Sequence, residues 1–266
     1  MSNWPDYVRY AFGQLGYENY EDGTEPFVNR WGGLDLETFA RVLREGQGDD
    51  TVLAIFALGS TGKPWARELL LPFLQSAQPM ERWASALCLG KMREEQALPV
   101  LISTLTEFFP PKEWPSFEGD DLWSYNGWRL QIILIIAEWA RPEVIPALLD
   151  ALQAFWQLEH LIPERHTVPR RYWRWCQGRV VYALGWLGRF DVLSTLKGAD
   201  ATLDGWRVYL ALGYLHAHGD YPDVFITSWR FLPGLHEKVI AVLKEQLGLS
   251  EEEQVRCLNS YREIKW

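Results

Sequence analysis

His216-Ala217-His218-Gly219-Asp220 places two imidazoles and a carboxylate within five residues, a spacing that could offer nitrogen and oxygen ligands to a metal ion. The same residues end an apolar helical stretch. Gly219 suits the turn there and histidines complement the negative end of a helix, so a structural role is expected. Gly59-Ser60-Thr61-Gly62-Lys63-Pro64 carries only part of a phosphate loop. Ala57 stands at the position of the required first glycine, Pro64 follows the lysine where Ser or Thr is needed, and no strand pattern precedes it. Cys88, Cys176 and Cys257 are odd in number and far apart, so no disulfide framework is implied. Arg174 and Arg179 flank Cys176 and could lower its pKa; a lone thiol outside any motif is nevertheless expected to be unreactive. Gly-x-Ser-x-Gly, His-Glu-x-x-His and Cys-x-x-Cys are all missing from the sequence. The reading therefore assigns no catalytic residue, no metal ligand and no cofactor, and leans away from an enzyme.

Residues suited to recognition are easier to find. Between Glu164 and Arg179 there are five Arg and one acid. Arg165, Arg170, Arg171 and Arg174 there, with Trp173 and Trp175, are binding candidates, because Arg and Trp are enriched at interface hot spots. A second aromatic segment, near Trp114, Trp123 and Tyr125, has four acids against one Lys. Glu138 completes the candidate set. It is a carboxylate in an otherwise apolar stretch, between Ala137 and Trp139, where it is either exposed or buried with a partner, and Arg141 lies at i+3.

The elements that must position these residues are helical and recur. Ala57-Leu58-Gly59, Ala183-Leu184-Gly185 and Ala211-Leu212-Gly213 each close an apolar stretch, Leu87-Cys88-Leu89-Gly90 is a close variant, and Ile136-Ala137-Glu138 fits with Glu in the glycine slot. The slots fall at 59, 90, 138, 185 and 213. Leu71-Pro72, Leu98-Pro99 and Ile145-Pro146 follow the first three slots and lead into second apolar runs. Each unit thus predicts helix A, a tight turn and helix B, with a kink at Pro72. Trp83, Ala86, Leu87, Leu89 and Gly90 recur at three and four residues and predict a helix over 79–92. The B helices after the last two slots are poor, at 191–196 and 222–229.

Ala-Leu-Gly, a short turn and Leu-Pro-x-Leu resemble the HEAT-like helical repeats, in particular the short bacterial type also found in phycobilisome lyase subunits. The resemblance covers roughly residues 49–229. It implies an all-α, right-handed α-solenoid of about six helical hairpins. Slot spacings of 48 and 47 residues, against 31 and 28, predict two long inter-repeat loops at about 109–127 and 159–177. A single domain over 1–266 is expected, with an N-terminal cap at 1–47, repeats over 48–230 and a C-terminal cap at 231–266. Helices are expected at 34–44, 233–247 and 250–264, with one more at 5–20, and Ser250 with Glu253 forms a capping box.

Composition narrows the function classes. Of 266 residues, 26 are Lys or Arg and 35 Asp or Glu, giving a net charge of −9, so nucleic acid and anionic membrane are disfavoured partners. The first residues carry no basic, apolar leader pattern, and the most apolar run, 130–137, falls far short of the roughly 20 residues of a membrane helix. The expectation is a cytoplasmic, non-enzymatic scaffold or adaptor. It would bind a protein or peptide on its concave face and on a loop rim rich in Arg, Trp and Tyr. The alternative is a small-molecule-handling protein or enzyme, resembling phycobilisome lyase subunits or HEAT-like DNA glycosylases.

Overall fold

A computed structural model describes residues 24–46, 48–106, 132–161, 167–194, 200–219 and 234–263. Among these are twelve α-helices, two short 3-10 segments and no strand. The chain forms two compact units, residues 1–139 and 140–266.

The first unit contains α1 (Thr24–Trp31), α2 (Leu36–Glu45), α3 (Asp49–Ser60), α4 (Pro64–Leu70), α5 (Pro79–Lys91), α6 (Ala97–Thr106) and α7 (132–138). Each start has a local cause. Asp35 caps α2, accepting from the Thr38 N–H at 2.9 Å and its hydroxyl at 2.8 Å, and these bonds hold its carboxyl below the usual range. Pro64 and Pro79 stand in first turns, where a proline loses no helical bond. At Leu71–Gln75 the α4 path tightens into a 3-10 segment containing Pro72, the expected kink, because Pro72 has no N–H to continue the α-helical ladder.

Packing alternates. Helix α3 lies against α1, α2, α4 and α5, while α5 lies against α3, the 3-10 segment and α6. Gly90 of α5 also faces Leu101 of α6 and Ile135 of α7. One layer is therefore α1, α3, α5 and α7, and the other is α2, α4 and α6. Residues 51–58 of α3 and 83–90 of α5 are continuously buried, as befits helices covered on several sides.

The second unit contains α8 (Val144–Leu161), α9 (Thr167–Trp186), a 3-10 segment (Phe190–Ser194), α10 (Asp200–Ala217), α11 (Leu235–Leu247) and α12 (Glu251–Glu263). Helix α9 packs on α8 and α10, and α10 packs in turn on the 3-10 segment, α11 and α12. Both units thus stack helical pairs in the manner of an α-solenoid. The 3-10 segment is the poor B element expected after α9. The capping box at α12 is present, with the Ser250 N–H and hydroxyl each 2.8 Å from Glu253 Oε2.

The recurring glycines have a packing cause. A Cβ on Gly185 would lie 2.1 Å from the Leu210 carbonyl oxygen, and one on Gly213 would lie 1.9 Å from the Tyr182 oxygen. Helices α9 and α10 cross there with their backbones in contact. The turn after the slot also recurs. In α5, the Arg93 N–H donates to the Gly90 carbonyl and the Glu94 N–H to that of Leu89; in α9, Gly188 and Arg189 repeat this toward Gly185 and Leu184. Gly188 takes the required positive φ of 67°, whereas Arg93 holds 59° with a side chain present.

One expectation is corrected. The stretch 159–177 is not a long loop: α8 continues to Leu161 and α9 begins at Thr167. The extra residues lengthen two helices, to 18 and 20 residues. Pro169 suggested a loop, but it lies in the first turn of α9, where a helix tolerates it. The other expected loop, 109–127, and the expected elements at 5–20 and 222–229 lie outside the described residues.

Candidate functional site

Of the Arg- and Trp-rich candidates, Arg170, Arg171, Trp173, Arg174 and Trp175 fall on α9, which packs against α8. Glu159, in the last turn of α8, is buried, and a buried carboxylate requires partners. Arg174 supplies one, its Nε donating to Oε1 at 2.6 Å, and Gln177 donates to Oε2 at 2.8 Å. Arg174 remains exposed over 56% of its side chain, so it is anchored at one edge and open to water elsewhere. Sequence reasoning missed Glu159 and Gln177 as members of this network. The available signal was an acid near the end of one helix opposite an arginine near the start of the next.

The tryptophans divide. Trp173 is fully buried and stacks on Phe155, with centroids 5.5 Å apart. It is a core residue, not a rim residue, because it lies about 100° around α9 from the exposed Arg174. Trp175 is half-buried. Beside this hairpin, Trp156 and His160 of α8 form a contact at 4.0 Å, with His160 Nδ1 donating to the Trp156 carbonyl at 2.7 Å; neither residue was singled out from sequence. Arg170 and Arg171 lie in the first two turns of α9. Arg165, Trp114, Trp123 and Tyr125 are outside the described residues.

Glu138 lies elsewhere, at the end of α7, with its side chain exposed. Its carbonyl accepts from Arg93 Nη1 at 2.6 Å, and Trp139 Nε1 donates to the Gly90 carbonyl at 3.1 Å, so α5 and α7 cap one another. Arg141 forms an ion pair with Glu143. Burial pushes the Lys91 ammonium down to about 8, opposed by Cys88 and by the charge of Glu138.

The remaining reactive residues are buried or held by local contacts. Cys88, Cys176 and Cys257 are buried thiols, and burial pushes Cys88 up to about 12. Arg174, which could have lowered the Cys176 pKa, is instead directed to Glu159. His216 Nδ1 lies 2.6 Å from the Tyr182 hydroxyl and its ring meets the edge of Trp186, while His218 donates to the Tyr214 carbonyl at 2.7 Å. Among the described residues no group of three or more His, Cys, Asp or Glu is placed to hold a metal ion.

Asp204 is the most heavily engaged carboxylate described. Buried in α10, it accepts from Arg207 and from Arg256 of α12, each at 2.6 Å, and from the Cys257 thiol at 3.5 Å. Burial alone would push its carboxyl up. The hydrogen bonds from Arg256 and Cys257 and the charges of Arg256 and Arg207 outweigh that and hold it below its ordinary value.

Stacked helical pairs with glycine-mediated crossings define a helical-repeat protein. Residues 38–108 match the family model for HEAT repeats, so this segment is HEAT-like; the match does not extend to the phycobilisome-lyase type. No curated protein and no solved structure matches the chain. No helix among the described residues is long and apolar enough to cross a membrane.

Proposed function

We propose that this protein is a non-enzymatic protein- or peptide-recognition scaffold working in the cytoplasm. The observation that carries the reading is the HEAT-repeat match over 38–108, within units built of stacked helical pairs. HEAT repeats generally serve as protein-interaction scaffolds, because stacking short units produces an extended binding surface without a catalytic cleft. The rim assigned to binding comprises Arg170, Arg171, Arg174 and Trp175, with Arg165, Trp114, Trp123 and Tyr125 as further candidates. Trp173 is withdrawn from that set because it is buried.

The test is quantitative affinity capture from nuclease-treated lysate of the source organism, with an absorbance spectrum of the eluate. A stoichiometric protein retained by the wild type and reduced with Arg170→Ala/Arg171→Ala supports the scaffold and its rim. A coloured or small-molecule eluate without protein overturns the reading in favour of ligand handling.

A further inference from the structure

We draw no further inference here: the strongest candidate, the exposed apolar patch of Leu34 and Leu36 at the turn between α1 and α2, carries nothing because nothing in the structure shows what covers it.

Discussion

Gly213→Ala isolates the physical origin of the repeat signature. In an unhindered helix the substitution stabilises by about 1 kcal/mol, because alanine loses less backbone freedom on folding. Here the new methyl would lie 1.9 Å from the Tyr182 carbonyl oxygen and 2.9 Å from the Trp186 nitrogen, where ordinary contact begins near 3.4 Å. The α9 and α10 backbones must part by roughly 1.5 Å, and no rotamer change can relieve a clash with a carbonyl. Overpacking of this kind costs about 3 kcal/mol, so the net loss is about 2 kcal/mol, or roughly 4 to 8 °C in Tm for a unit of this size. Gly90→Ala is the control. Its methyl would meet Leu101 Cδ1 at 2.8 Å and Ile135 Cγ2 at 2.9 Å, the ends of side chains that can rotate, so its net effect should be within about 1 kcal/mol. Gly185→Ala should resemble Gly213→Ala, and the pair should be less than additive, since one substitution already separates the helices. Urea unfolding gives the energies and hydrogen exchange of α9 and α10 amides gives the location. A neutral or stabilising Gly213→Ala would refute the reasoning, because no such backbone crossing could then exist.

Further predictions follow from the ion pairs and the strained turn. Arg174→Ala leaves Glu159 buried with Gln177 as its remaining named donor and should cost about 2 kcal/mol, discounted for the exposure of the arginine; Arg174→Lys should recover part of it in urea unfolding. The Asp204 carboxyl is held low, so it stabilises the fold above its unfolded value of 3.8, and that contribution is lost as pH falls through the lower folded value. Asp204→Asn should therefore flatten the acid limb of a stability-against-pH curve and loosen α12, seen as faster amide exchange there. The Lys91 pKa is lowered to about 8 from 10.5, so between these values the unfolded chain binds the extra proton and wild-type stability rises with pH; Lys91→Met should abolish that rise and be the more stable protein near pH 7. Arg93→Ala keeps a positive φ and loses the cap on Glu138, whereas Arg93→Gly loses only the cap, so the glycine variant should be the more stable by about 1 kcal/mol in thermal unfolding.

Helical character, repeat slots and several helix ends were legible in the sequence, because they arise from local chemistry. Pro64 and Pro79 start helices, Pro72 breaks the α-helical ladder, Ser250 accepts a backbone N–H bond, and the apolar period of 79–92 needs only its own residues to be read. The composition of the candidate surface was equally plain, since counting five Arg against one acid requires no coordinates.

Tertiary structure decided how those residues are used. Spacing alone does not distinguish a loop from two longer helices, and 159–177 proved largely helical because Pro169 occupies a first turn. Trp173 and Arg174 are neighbours in sequence, yet one stacks on Phe155 in the core and the other faces water, a split fixed by helical rotation once α8 packs against α9. Nothing in the local sequence marks Glu159 or Asp204 as buried; their hydrogen-bond partners come from residues 15 and 52 positions away. The glycine slots were visible as a pattern, but the backbone each one faces was not. A contact of 1.9 Å between one helix's added methyl and another's carbonyl exists only when two chain segments meet, and no local sequence window contains both.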